Sequence, residues 1–205
     1  MITWIIIWLF FWISALGLTN YLLKEHKITY FEKSWQHTIF FIVLSLILFI
    51  VYQNQFFTYF KAFSVWHLVA VLSLFVLWLF VPILYKNDYY AKKERFGYQL
   101  PKFFEILFQD ICFLGGLLTF GISPIMFGLF FFAVHIPAVF ILPKKFALLP
   151  ITGSLFGGLI FAYLQSQGIS GFLLALFIHL LFWGTLHYLL TKSIDGFLGI
   201  TPLKR

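Results

Sequence analysis

The sequence predicts an all-α protein, a polytopic membrane helical bundle with about seven transmembrane helices. Hydrophobic residues make up 62% of the 205 residues and charged residues only 10%, far from the balance of water-soluble domains. At about 1.5 Å per residue, each of the main apolar segments can cross a hydrocarbon core of about 30 Å. Helices are expected because a backbone in lipid must satisfy its own hydrogen bonds. The segments lie near residues 2–22, 36–52, 62–85, 103–121, 124–142, 147–164 and 170–191.

The basic residues indicate an orientation in the membrane. When successive loops are assigned to alternate sides, Lys61 is the only one of the 14 Lys and Arg residues on its side. The positive-inside rule makes the other side cytoplasmic, so we expect a cell-membrane protein with its amino terminus outside and its carboxyl terminus in the cytoplasm. The net charge of +7 favours contact between the lipid bilayer and this basic side, through anionic headgroups. No other feature favours a nucleic-acid partner.

Three apolar segments form the first predicted region, residues 1–85. The first segment has no basic n-region and no small-residue cleavage site after it, so we expect it to remain as a helix. Trp4, Trp8 and Trp12 recur every four residues along this helix. Such a stripe is typical of a lipid-facing or packing surface, and a ligand platform is the alternative interpretation.

A polar connection, residues 86–102, forms the second predicted region. Its tyrosines and basic residues suit the headgroup layer, so we expect a cytoplasmic interfacial helix or ordered loop. Pro101 is expected in the first turn of the next helix, where a missing amide proton is harmless. The third region, residues 103–205, holds the last four segments. Within it, Gly153 and Gly157 have the GxxxG spacing that lets membrane helices approach closely.

Polar side chains interrupt the apolar segments of the third region. An ionisable group in hydrocarbon costs roughly 2 to 4 kcal/mol, so such groups tend to face the bundle interior and to mark sites. Glu105 and Gln109 share one helix face, whereas Asp110 points about 140° away from Glu105. The other candidates are His135 in the fifth segment and His179, Trp183 and His187, spaced by four residues, in the seventh.

The predicted segment bounds place these groups at different depths. Counted from the cytoplasmic ends, Glu105 lies about one turn inside the membrane, and Asp110 and His135 lie about two turns inside. His179 falls near the middle of the bilayer. A kinked or staggered seventh helix would be needed to bring His179 level with the others.

Three kinds of chemistry fit these residues. A carboxylate and imidazoles from different helices could activate water and stabilise an oxyanion. The same groups could instead bond to one another and lock the helices together. A haem or metal site on His135 and His179, or on His179 and His187, is a further alternative; otherwise no cofactor is expected. Cys112 is the only cysteine, so the chain has no internal disulfide and no Cys-x-x-Cys motif.

The last four segments, roughly residues 98–192, resemble the CPBP family of intramembrane proteases, which includes CAAX-processing and bacteriocin-processing enzymes. The family motifs are Glu-Glu-x-x-x-Arg, Phe-x-x-x-His and His-x-x-x-Asn. They align here with Phe104 to Gln109, Phe131 to His135, and His179 to Trp183. Relative to the family, this chain has phenylalanine for the first glutamate, glutamine for the arginine and tryptophan for the asparagine.

The resemblance implies two functions. In the family, the first glutamate is the expected water-activating base, the histidine of the second motif assists it, and the last histidine and asparagine form an oxyanion site. With three of these positions changed, the chain is expected to be a degenerate member that binds transmembrane or prenylated peptide partners, much as the polytopic scaffold subunit of gamma-secretase serves assembly. The alternative is an active endopeptidase in which Glu105 activates water, His135 orients it and His179 stabilises the oxyanion.

Overall fold

All regular structure in the described part of the chain is helical, which confirms the all-α prediction. The computed structural model describes Ile6 and residues 34–84, 92–120, 123–136 and 144–193. Apart from Ile6, the first apolar segment and its tryptophan stripe lie outside the described residues, as does most of the second half of the fifth segment. The helices are α1 Ser34–Val51, α2 Gln53–Tyr59, α3 Val65–Leu84, α4 Lys92–Phe120, α5 Pro124–His135, α6 Lys144–Ser166 and α7 Ile169–Ser193, with a 3-10 turn at Phe60–Ala62 after α2.

The chain bends sharply between α1 and α2. Tyr52 separates the two helices, and the α1 axis makes an angle of 92° with the segment Gln53–Ala62. Among the described helices none is by itself long and apolar enough to cross a membrane, whereas this bent pair meets that criterion jointly. The sequence patterns anticipated α1 and α3 but assigned no element to the connection between them.

Helix α4 is longer than the sequence predicts. It begins at Lys92 instead of residue 103, so part of the expected interfacial region continues into the helix without a break. Pro101 lies inside α4, and the prediction that it occupies the first turn is wrong. Lys102, one of the basic residues that suggested a headgroup layer, is buried, as is the polar residue Gln99. The division of the chain near residues 85 and 102 stays a prediction.

Central packing of α4 explains why its polar residues are enclosed. α4 contacts α1, α2, α3, α6 and α7, and its side chains Phe108, Phe113 and Leu114 are almost fully buried. Trp78 of α3 donates its indole N–H to the carbonyl of Gln99, 2.9 Å away, which fixes the amino-terminal half of α4. Any polar group on α4 must therefore find a partner on a surrounding helix.

Glycines set the closest helix contacts. A Cβ on Gly158 of α6 would lie 2.9 Å from the Cα of Gly128 in α5 and 2.7 Å from the Cβ of Phe131, so these helices touch through their backbones. Gly153 instead faces the ring of Phe182 in α7, at 3.2 Å. Small residues do mediate helix contacts here, as the spacing indicated, but the close approach of α6 to α5 uses Gly158 and not Gly157.

One end of the bundle is tied together by Tyr59. Its hydroxyl lies 2.6 Å from the carbonyl of Gln165 and 2.7 Å from that of Gly168, at the end of α6. Burial raises the pKa of the Tyr59 phenol above its ordinary value, so the phenol keeps the proton that it donates. Gly168 has φ +89°, a left-handed conformation that favours glycine and turns the chain from α6 into α7.

Candidate functional site

Asp110, His135 and His179 lie at one level of the bundle. Asp110 comes ten residues before the end of α4, His135 eleven residues after the start of α5 and His179 ten residues after the start of α7. At about 1.5 Å per residue, each is about 15 to 17 Å along its own helix from that helix end. The mismatch in depth expected for His179 is therefore not found. It arose because the predicted fourth segment began too late.

A carboxylate–imidazole pair links α4 to α7. The Oδ1 atom of Asp110 lies 3.0 Å from Nδ1 of His179. Asp110 has no solvent exposure and His179 only 4%, so water does not screen this contact. Among the described residues, the second carboxylate oxygen, Oδ2, has no hydrogen-bond partner. His179 is thus bonded by Asp110, which lies on a different face of α4 from Glu105.

Trp183 occupies the other nitrogen of the same histidine. Its indole N–H lies 3.0 Å from Nε2 of His179. An indole nitrogen can only donate, so Nε2 must accept and the ring proton must sit on Nδ1, where it is donated to Asp110. Both nitrogens of His179 are therefore used by the protein itself.

A second polar layer lies beside the first, nearer the start of α4. Lys102 Nζ is 2.9 Å from Glu105 Oε1, and the Gln109 amide donates to the same oxygen at 3.2 Å. The same ammonium group lies 3.8 Å from the centroid of the Trp183 ring, a cation–π contact. Lys102 is only 6% exposed. The two layers form one continuous network, from Glu105 through Lys102 and Trp183 to His179 and Asp110.

His135 belongs to an aromatic cluster beside the pair. Its Nδ1 lies 2.7 Å from the carbonyl of Phe131, to which it donates, and the two rings are 4.5 Å apart between centroids. The ring of Phe161 contacts both Phe131, at 5.9 Å, and His179, at 5.2 Å. His135 and His179 are close enough to interact electrostatically. The two histidines therefore converge, with aromatic rings between them.

Gln165 is a buried polar neighbour that the sequence patterns did not reveal. Its amide nitrogen lies 3.4 Å from the backbone carbonyl of Asp110, and its side chain has no solvent exposure. Lys102 was also missed, because its position was assigned to the connecting loop. The spacing of Lys102 and Glu105, three residues apart, was the available signal for their pairing on one helix face.

The predicted site residues thus divide into two groups. Asp110, His135 and His179 meet at one level, while Glu105 and Gln109 lie in the neighbouring layer with Trp183. His187 falls within α7, and its side chain lies outside the described residues. Within the part of the chain that the structure describes, no group of three or more His, Cys, Asp or Glu side chains could hold a metal ion.

No protein-family model, curated protein or solved structure matches this chain. The resemblance to the CPBP proteases therefore rests on three short motifs and their order along the chain. What the site can do must be argued from its own geometry.

Proposed function

We propose that this chain is a multi-pass protein of the cell membrane that resembles CPBP proteases and binds transmembrane or prenylated peptide partners without cleaving them. The reasons concern the distribution of polar groups, the orientation of the loops and the chemistry of His179.

The distribution of polar and apolar groups supports a membrane environment. Of the four charged side chains whose burial is described, only Lys61 is exposed; Lys102, Glu105 and Asp110 face the interior. Large apolar side chains face outward instead, among them Ile50 at 69% exposure and Trp66 at 76%. This is the reverse of a water-soluble surface and matches a bundle that buries its ionisable groups away from lipid.

Contacts at the bundle end agree with the expected orientation. Tyr59 is the last residue of α2, directly before the 3-10 turn that carries Lys61, and it bonds to the connection between α6 and α7. The threading by basic residues assigned both connections to the outer side. The contact between the two connections supports their placement on the same side of the membrane.

The non-catalytic proposal rests on the observation that both ring nitrogens of His179 already have hydrogen-bond partners. A histidine that assists hydrolysis must have a nitrogen available to the water or to the developing oxyanion. Here Asp110 and Trp183 use both nitrogens. The Glu105 carboxylate, the expected replacement base, accepts from Lys102 and Gln109. The network therefore suits a fixed binding scaffold better than a water-activating centre.

A cleavage and binding assay tests this proposal. Purified protein in lipid should cleave prenylated and transmembrane peptides no faster than the His135→Ala variant, because Asp110 and Trp183 already use both nitrogens of His179. The same peptides should be retained by photocrosslinking to the protein and not to an unrelated multi-pass protein. Failure of both peptide classes to crosslink would overturn the binding proposal.

An active endopeptidase is the second candidate, and one observation favours it. The buried pair of Asp110 and His179, 3.0 Å apart, is an oriented carboxylate–imidazole unit of the kind that catalysts use. Cleavage that disappears in both Glu105→Ala and His135→Ala would establish Glu105 as the base. Cleavage that persists in Glu105→Ala but disappears in Asp110→Asn would assign the role to Asp110.

A further inference from the structure

The segment that follows the sharp bend has an aromatic and basic exposed face. We name residues 53–66 the α2 rim; it comprises α2, the 3-10 turn and the start of α3. Phe57 is 74% exposed, Phe63 45% and Trp66 76%, and Lys61 between them is exposed as well. Aromatic side chains beside a basic one are typical of the boundary between lipid headgroups and acyl chains.

The opposite face of the α2 rim is held firmly by the bundle. Phe56 is 1% exposed, and the ring of Phe60 packs edge-on against Phe172 of α7 at 5.9 Å. Tyr59 adds its hydrogen bonds to the end of α6. At the start of α3, Nδ1 of His67 lies 2.8 Å from the hydroxyl of Ser64 and accepts from its backbone N–H at 3.1 Å. The exposed face is therefore presented on a fixed backbone.

In the proposed membrane position, α1 covers most of the hydrocarbon core, and the bend that follows it lies near the boundary of that core. Its 18 residues span about 27 Å, slightly less than a hydrocarbon core of about 30 Å. A segment at 92° to a helix that crosses the membrane runs close to the membrane plane. If the α2 rim instead continued inward, the exposed side chains of Gln53, Asn54 and Lys61 would be left in hydrocarbon without water.

We propose that the α2 rim lies in the plane of the membrane and docks onto the phospholipid headgroup layer of the outer leaflet. Phe57, Phe63 and Trp66 reach the boundary of the acyl chains, and the Lys61 ammonium pairs with lipid phosphate. The phosphate supplies the charge complementary to the one exposed cation among the described side chains. This inference rests on the proposed membrane function.

The single cysteine makes the test direct. Cys112 is buried, so Cys112→Ala provides a cysteine-free background, with Cys112→Ser as a second background if the first folds poorly. Single cysteines then replace Phe57, Phe63 and, as a control in the middle of α1, the lipid-facing Val43. Each variant carries a nitroxide label in vesicles of phosphatidylcholine and phosphatidylglycerol. Label depth is measured from collision with oxygen and with a water-soluble nickel reagent.

The expected result is a deep label at position 43 and shallow labels at 57 and 63 that agree in depth within a few ångströms. Labels at 57 and 63 that differ by about 9 Å would indicate a continuing span and overturn the inference. Full access of both labels to the nickel reagent would favour a water-facing or protein-binding surface and overturn it equally. A label at 43 that is not in lipid would instead overturn the membrane proposal itself.

Charge reversal at position 61 tests the phosphate contact. Lys61→Glu should increase the access of the nickel reagent to the label at position 63, because the glutamate is repelled by lipid phosphate. Lys61→Arg keeps the charge and serves as the matched control. Equal access in both variants would remove lipid phosphate from the proposed contact.

Discussion

Asp110 and His179 form a hydrogen bond with each other in a part of the bundle that water does not reach. The imidazole N–H needs an acceptor, and the carboxylate oxygen 3.0 Å away is the one that the bundle supplies. A buried donor left without an acceptor keeps the full cost of having lost its water. The contribution of this contact to the stability of the protein therefore depends on the presence of both residues, more than on the charge of either one.

Removal of the acceptor alone should destabilise the protein. Asp110→Ala is expected to lower the free energy of unfolding by roughly 1 to 3 kcal/mol, because His179 keeps a buried and unpaired N–H. Asp110→Asn retains an acceptor oxygen and should lose less. The triple variant Asp110→Leu, His179→Leu and Trp183→Phe removes the carboxylate, the imidazole and the indole donor together and should be milder than Asp110→Ala. Unfolding by SDS titration in mild detergent measures all three, and equal losses in Ala and Asn variants would contradict the proposed bond.

The tautomer of His179 provides a second prediction at this scale. In protein labelled with ¹⁵N-histidine, the His179 signals should show a protonated Nδ1 and an unprotonated Nε2, because the Trp183 indole can only donate. Trp183→Phe keeps a ring beneath the Lys102 ammonium but removes the N–H. This variant should therefore change the ¹⁵N shift of Nε2 far more than that of Nδ1. A protonated Nε2 in the unmodified protein would contradict the structure at this point.

Sequence reasoning reached these residues but not their partners. The cost of placing ionisable groups in apolar segments singled out Asp110, His135 and His179, because that cost depends only on residue type and surroundings. Periodicity also placed Glu105 and Gln109 on one face, where they do bond. The pairing of Asp110 with His179 depends on how α4 and α7 are staggered, and no local pattern encodes the relative position of two helices 69 residues apart.

At the scale of elements, α4 shows how composition can conceal a helix. Polar and basic residues before Pro101 suggested a connection at the membrane surface, yet residues 92–102 are helical. Their polarity is compensated by tertiary contacts, such as those of Lys102 with Glu105 and Trp183. The 92° bend at Tyr52 could not be predicted from the sequence, because no glycine or proline marks it. Local sequence patterns do not predict helix boundaries that depend on such tertiary contacts.

Helix contact through glycine gives a prediction for α5 and α6. Gly158→Ala should destabilise the protein by roughly 1 to 3 kcal/mol, because the new methyl group would lie under 3 Å from Gly128 and Phe131 and force the helices apart. Gly157→Ala is the matched control: its nearest contact would be 3.9 Å away, and alanine favours a helix. Thermal denaturation in detergent should separate the two variants. Equal melting temperatures would show that the close contact is not a constraint.

At the scale of the whole molecule, the buried charges and exposed apolar side chains suit a bilayer. Composition alone led to that expectation, because 62% hydrophobic residues is well above the share typical of water-soluble domains. The all-helical architecture followed from the same physics and is found in every described segment. The function does not follow in this way, since it depends on whether a few side chains are free to react.

Orientation is the prediction that belongs to this scale. A reporter fused after Gln167, between α6 and α7, should report an external location, and one fused at the carboxyl terminus a cytoplasmic location. The physical reason is that 13 of the 14 basic residues fall on one side in this threading. A fusion after Lys61 provides an independent check, because Tyr59 ties that connection to the one between α6 and α7. Opposite locations for the two connections would refute the arrangement.

The order of synthesis determines when the bond between Asp110 and His179 can form. The ribosome makes α4 before α7, and at 5 to 20 residues per second the acid waits roughly 3 to 14 s for the histidine that binds it. During that interval the newly made chain carries an incomplete polar centre. Nonsense mutations between the two positions would leave this centre permanently incomplete. Such truncated chains would keep the Asp110 carboxylate without its imidazole partner and would carry the cost of a buried, unpaired polar group.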